Sequence, residues 1–355
     1  MSPETFSILL LEWWGDNKRE LAWKDSTNPY NIWISEIILQ QTRVSQGTPY
    51  YLNFISRFPD IFTLASASED EVLKVWEGLG YYSRARNLHI TAKYIQSKFN
   101  GNFPDNYDDI LKLKGVGPYT AAAIASFAFG FRYPVVDGNV IRLISRILGI
   151  SAPVTTIDVK KEIEKFVTES ILNAHPASFN QAIMDFGALY CIPNQPQCPV
   201  CPFNSYCVAF QTDQIRDIPF KSKKTFKKTR HFHYLDIRLP DDYTIICQRS
   251  EKDIWKKLYE LPMLESVTEK INVENMLTAL QNILTMPIQY KVEIKNIMAL
   301  NQELTHRKIQ ATFYKVTLHQ KIEKINKGHY LVERKKVSNF AFPKIITEYL
   351  KTIDV

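Results

Sequence analysis

The sequence predicts a multidomain protein, an all-α domain followed by an α+β domain, and three observations predict it. The chain has 355 residues, beyond the roughly 250–300 at which a single hydrophobic core stops growing. Apolar residues recur at helical spacing through residues 1–220, whereas short β-branched and aromatic runs dominate after 230. Charge also changes sign there. Residues 221–355 carry 25 Lys and Arg against 15 Asp and Glu, and residues 1–220 carry 19 against 22.

The spacing predicts helices over 31–45, 70–77, 84–96, 107–113, 119–129, 138–148, 157–172 and 177–190, with Gly, Pro, Asn and Asp at the breaks. Ile8–Leu11, flanked by Glu4 and Glu12, reads as a helix face and not as a signal peptide. The step in charge falls on a basic interdomain linker, Lys221–Arg230, which can also lie along phosphates. Strands are predicted at His231–Leu239, Tyr243–Gln248, Tyr290–Ala299 and Ala311–Leu318, with helices near 272–284 and 343–352. The expected domains are therefore 1–220 and 231–355, joined by 221–230.

Composition excludes several classes. Hydrophobic residues make up 45% and charged residues 23%, which argues against disorder, and 12 Gly and 18 Pro rule out collagen-like or low-complexity chains. No apolar run approaches the ~18 residues of a membrane span. The expectation is a cytoplasmic monomer whose thiols stay reduced unless they hold a metal. The net charge of +7 hints only weakly at a polyanion partner.

Four of the five cysteines, Cys191, Cys198, Cys201 and Cys207, fall within seventeen residues. Four thiolates converging on one point suit a tetrahedral Zn²⁺ or a [4Fe–4S] cluster, and the spacing does not choose between them. Cys247 sits in a predicted strand and reads as a small buried hydrophobe. Lys112–Ala121 places Gly115 and Gly117 between two helical patterns, the shape of a helix–hairpin–helix whose glycines let backbone approach a phosphate. Glu36 stands in an apolar stretch, equally a satisfied core carboxylate or an acid whose pKa burial raises. Asp137 opens a helix, where an N-cap is the simpler role.

Together these blocks resemble MutY-type adenine DNA glycosylases of the helix–hairpin–helix superfamily. The resemblance is carried by WISEIILQQTRV (Trp33–Val44), GLGYYSRARNLH (Gly78–His89), LKGVGPYTAAAI (Leu113–Ile124), VVDGNVIR (Val135–Arg142), FNQAIMDFGALYC (Phe179–Cys191) and the cysteine loop, and it spans 13–207. It implies a monofunctional glycosylase that removes adenine mispaired with 8-oxoguanine or guanine in duplex DNA, during base excision repair. It also implies one [4Fe–4S] cluster on Cys191, Cys198, Cys201 and Cys207. By similarity Glu36 protonates adenine N7 and Asp137 stabilises the sugar cation, while Tyr119 and Asn139 orient them. Arg19, Trp23 and Gln181 match the adenine pocket, and Gln41, Thr42 and Tyr82 match residues inserted around the opposing purine. The C-terminal domain resembles the family's nudix-like 8-oxoguanine recognition domain, with Thr305 bonding the lesion and His306 helping to locate it.

Some positions depart from relatives. Tyr119 replaces the Lys whose Schiff base leads to strand cleavage in endonuclease III-like enzymes, and a phenol forms no imine. Ile141 removes another lysine. The loop Ile192–Gln197 is neutral, which shifts the expected phosphate contacts to the linker, Arg84 and Arg86. Lys256–Asn275 lacks the Glu-rich Mg²⁺ helix of a nudix hydrolase, so the second domain is expected to bind and not hydrolyse. The alternatives are a related glycosylase for another mismatch, such as T opposite G, or a non-catalytic DNA-binding module.

Overall fold

The computed structural model describes residues 1–24, 26–220, 227–249, 253–284, 292–319, 322 and 324–353. Lys221–Phe226 of the expected linker and residues 290–291 of one expected strand lie outside the described residues. The chain forms two compact units, one of residues 1–66 and 87–223, the other of 67–86 and 224–355.

Helices α1 (Pro3–Asp16), α2 (Pro29–Leu39), α3 (Val44–Arg57) and α4 (Ile61–Ser66) open the first unit. Helix α5 (Glu69–Val75) belongs to the second, and the division falls in the first turn of α6 (Ser83–Phe99). The first unit continues with α7 (Tyr107–Leu111), α8 (Pro118–Phe129), α9 (Gly138–Leu148), α10 (Ile157–Ile171), α11 (Pro176–Leu189) and α12 (Val208–Gln211). The single helix expected over 31–45 is two. Gln41 takes a left-handed φ of 56°, and the chain turns there before α3.

Helix α2 starts at an Asn28 cap with Pro29 in its first turn, then buries every residue from Ile32 to Ile38. It packs on α3 and α8, while α11 packs on α1, α8 and α9. Phe6, Leu143, Ile147, Phe166, Phe179, Phe186 and Phe203 share one core.

The second unit is built on a seven-stranded sheet. Its strands are β1 (Lys228–Leu239), β2 (Tyr243–Gln248), β3 (Tyr259–Glu260), β4 (Met263–Ser266), β5 (Glu293–Glu303), β6 (Arg307–Thr317) and β7 (His329–Glu333). The order is β3-β2-β1-β6-β5, with β4 on β1 and β7 on β2. Strands β1 and β6 run parallel from Lys228↔Arg307 to Arg238↔Thr317. The last residues expected as linker, Lys228–Arg230, are thus already strand. Alternation along β1 sends Phe232 and Tyr234 into a cluster with Ile345, Ile346 and Tyr349 of α14 (Lys344–Thr352). Leu235 and Ile237 join Met276, Leu280 and Ile283 of α13 (Val273–Leu284). Lys256–Asn275 forms β3, β4 and the first turn of α13. Among the described residues no helix is long and apolar enough to cross a membrane.

Candidate active site

Because α2 is buried almost all round, its one carboxylate is carried into the core, and Glu36 is 7% exposed. Burial pushes the Glu36 carboxyl up to about 7, a hydrogen bond from Tyr119 pulls against that rise, and the nearby Asp137 charge adds to it. Tyr119 stands in the first turn of α8. Its hydroxyl also reaches Met184 Sδ on α11, at 3.5 Å. Burial raises the phenol well above its ordinary range, so it stays a neutral donor.

Asp137 caps α9 as the sequence suggests. Its Oδ1 accepts the Asn139 and Val140 backbone N–H groups, both at 2.8 Å, and its Oδ2 accepts Asn139 Nδ2 at 2.8 Å. The carboxylate is therefore fixed at a helix N-terminus, where the dipole favours negative charge. Asn139 is itself held, because its Oδ1 accepts Arg142 Nη2 at 3.0 Å. The same guanidinium donates to the Gly187 carbonyl and, through Nε, to the Cys191 carbonyl at 2.8 Å. The close approach of α11 to this turn needs a glycine, since a Cβ at Gly187 would lie 2.8 Å from Asn139 Cβ.

Arg19 lies near Tyr119 and donates to Asp185 at 2.5 Å. The fully buried Asp185 also accepts Trp14 Nε1 at 2.9 Å and Lys24 Nζ at 3.3 Å. Trp23 is buried edge-on to Tyr51, and Gln181 lies half-buried on α11 one turn before Asp185. Gln41 is exposed in the turn after α2, and Thr42 there donates its N–H to the Leu39 carbonyl at 3.1 Å. In the hairpin before α8, Gly115 has φ of 85° and no room for a Cβ beside Asn87. Gly117 caps the helix with nothing within 4 Å of where a Cβ would stand, leaving its backbone approachable.

The four loop cysteines are free thiols lining one pocket with Leu143, Arg146, Phe186 and Tyr190. Burial pushes the Cys201 thiol up to about 12 and raises Cys198 and Cys207. Buried Arg146 braces the loop, donating to Cys191 Sγ at 3.5 Å and to the carbonyls of Ile192, Pro193, Ile215 and Ile218. Among the described residues no three His, Cys, Asp or Glu side chains are grouped to hold a metal ion.

Residues 34–185 match the profile of the HhH-GPD superfamily of base excision DNA repair proteins, and residues 233–352 match that of the NUDIX domain. An adenine DNA glycosylase of Buchnera aphidicola subsp. Schizaphis graminum is 38% identical over 273 residues, 76% of this chain and 78% of its own length. One from subsp. Baizongia pistaciae is 36% identical over 319 residues, 88% and 85%. The chain belongs to the adenine DNA glycosylase family. A solved thermostable thymine-DNA glycosylase, 28% identical, shares the helical fold at a TM-score of 0.54, over 59% of this chain and 97% of its own.

Set beside the residues expected from the sequence, the second unit departs at Tyr82, Arg84 and Arg86. Tyr82 is 5% exposed, and its hydroxyl donates to the Phe342 carbonyl at 3.2 Å, so it is a core residue and not an inserting ring. The neighbouring Tyr81 is the exposed one, at 46%, with a left-handed φ of 48°. Arg84 and Arg86 do not reach outward either. Arg84 lies 8% exposed over the Trp76 and Tyr81 rings, and Arg86 donates to the Lys256 carbonyl at 2.8 Å. Thr305 and His306 are exposed at the tip of the β5–β6 hairpin. Cys247 is only partly buried, in β2 opposite Glu260.

Sequence reasoning also passed over Asp185, Met184, Arg142 and Arg146. Asp185 bears the signal that found Glu36, an acid inside an apolar helical run. Arg142 and Arg146 lie one turn apart on α9, but nothing in their spacing distinguishes an inward guanidinium from a solvated one.

Proposed function

We propose that this chain is a monofunctional glycosylase that hydrolyses the N-glycosidic bond of adenine mispaired with 8-oxoguanine or guanine in duplex DNA. The observation that carries the reading is Glu36, a core carboxyl with a pKa near 7 that shares its surroundings with Tyr119 and the capped carboxylate of Asp137. An acid poised near neutrality and an ionised partner divide labour as in glycoside hydrolysis.

The target adenine must leave the stack before its bond can be reached. Arg19, Trp23 and Gln181 receive it. Glu36 donates its proton to N7, so the base departs neutral and the sugar becomes an oxocarbenium-like cation. The Asp137 carboxylate stabilises that cation until water adds at the sugar carbon. Asn139 keeps the carboxylate aimed. Tyr119 offers no amine for an imine, so the strand stays intact. Gly115 and Gly117 present backbone to phosphate. In the first unit Gln41 and Thr42 meet the opposing purine; in the second, the exposed Tyr81, Thr305 and His306 read the lesion.

Cys191, Cys198, Cys201 and Cys207 would hold a [4Fe–4S] cluster. The donor set fits by its chemistry, since four free thiols line one pocket and cysteine thiolates are the ligands such clusters take. The cluster would supply structural cross-linking of the loop.

The test is single-turnover excision on duplexes with A, T or C opposite 8-oxoguanine and guanine, with and without alkali. Adenine release with strand breaks only after alkali is expected. Preferential thymine release, or nicking without alkali, would overturn the assignment.

A further inference from the structure

We propose that Met184 is a positioning residue for the general acid, its thioether holding the Tyr119 hydroxyl proton away from Glu36 while Glu36 carries its own. The inference rests on the assignment of Glu36 as the acid.

The Tyr119 hydroxyl has one proton, and among the described residues it meets the Glu36 carboxyl and Met184 Sδ at 3.5 Å, with the Asp137 and Arg19 charges nearby. When Glu36 is protonated, it too is a donor, and two O–H groups cannot both donate to each other. If the phenol points at the sulfur, its oxygen lone pairs are free to accept the Glu36 proton, and the acid is held in its loaded form. A thioether is a weak acceptor. Once Glu36 has passed its proton to the base, the charge-assisted bond to the new carboxylate is much the stronger. The phenol then turns about its C–O bond and donates to Glu36. No proton is lost or gained by Tyr119 in this cycle.

The sulfur is well placed to do this. Met184 is 8% exposed, and the next residue on α11 is Asp185, locked by Trp14, Arg19 and Lys24. The titratable groups facing Glu36 are Tyr119 from α8 and Asp137 at the cap of α9, with the Arg19 charge beside Tyr119. On α3 the buried Tyr51 packs on Trp23. Met184 is thus a neutral acceptor in a group of charged or acidic neighbours.

The test is the pH profile of single-turnover adenine excision by the full chain. The wild-type rate should fall as pH rises through neutrality, because the acid must be protonated. Met184→Leu conserves volume but accepts no hydrogen bond, leaving Glu36 as the phenol's acceptor and stabilising the carboxylate. Its midpoint should move down by about half to one pH unit, about three- to tenfold in rate above the midpoint, with the low-pH plateau kept. Met184→Gln, which restores an acceptor, should return the midpoint. In a Tyr119→Phe background Met184→Leu should shift nothing further. An unmoved midpoint in Met184→Leu, or an equal shift without the phenol, would overturn the proposal while leaving the glycosylase assignment standing. A wild-type protein that releases no adenine would remove that assignment and this inference with it.

Discussion

The hydroxyls of Tyr81 and Thr305 lie 2.7 Å apart, joining the exposed ring at a left-handed turn to the tip of the β5–β6 hairpin. Both residues belong to the second unit, although 224 positions separate them. If this pair reads the purine opposite adenine, breaking it should blunt lesion preference before it blunts chemistry. Tyr81→Phe and Thr305→Ala are each expected to reduce the ratio of binding to 8-oxoguanine over guanine duplexes by about two- to tenfold, as for one hydrogen bond. Fluorescence titrations with both duplexes measure it, and an unchanged ratio would count against the role.

Glu36→Gln removes the transferable proton but keeps the shape. Excision should drop by about 10²–10⁴-fold, with duplex binding retained. The same substitution should alter stability in a pH-dependent way. The folded carboxyl, near 7, holds its proton above the ordinary value of 4.5. Between these values the folded state binds more protons than the unfolded, so stability falls as pH rises through the window. The cost is fully present above 7, at about 3 kcal/mol. Glu36→Gln should therefore raise the melting temperature at pH 8 more than at pH 5, as thermal scans would reveal.

Gly187→Ala places a methyl 2.8 Å from Asn139 Cβ and 3.0 Å from the Asn139 carbonyl. The obstacle is mostly backbone, so the first turn of α9 must move and Asp137 with it. We expect a loss of about 1–3 kcal/mol in stability and a fall in excision larger than the unfolded fraction accounts for. Parallel unfolding and single-turnover assays separate the two effects.

The cysteine cavity predicts a brown protein with about four irons per chain. Cys198→Ser should lower iron content and destabilise the loop braced by Arg146. Metal analysis finding stoichiometric zinc in active protein would exclude the cluster.

Much of this was legible in the sequence where a residue contradicts its own neighbourhood. Glu36 in an apolar helix and cysteines crowded into one loop are such contradictions, and local patterning exposed them. Strands β1, β2 and β6 and helices α13 and α14 were legible for the related reason that period and composition agree. Tyr81 and Tyr82 were not separable, since adjacent identical residues differ only in which one the turn turns outward. The inward pull on Arg84 and Arg86 was equally hidden, because their partners, the Trp76 ring and the Lys256 carbonyl, carry no mark of pairing in the chain.

The assignment of residues 67–86 to the second unit makes that unit discontinuous in sequence. Glu77 accepts the Phe342 N–H at 2.8 Å, and Asp70 accepts the Tyr259 hydroxyl at 3.0 Å. A break in the linker would therefore not release two independent halves, since one portion of the second would remain covalently within the first. Recombining such enzymes by exchanging everything after the linker would pair a foreign sheet with a native 67–86 segment. Chimeras that carry the segment along with the sheet should fold where those that leave it behind do not.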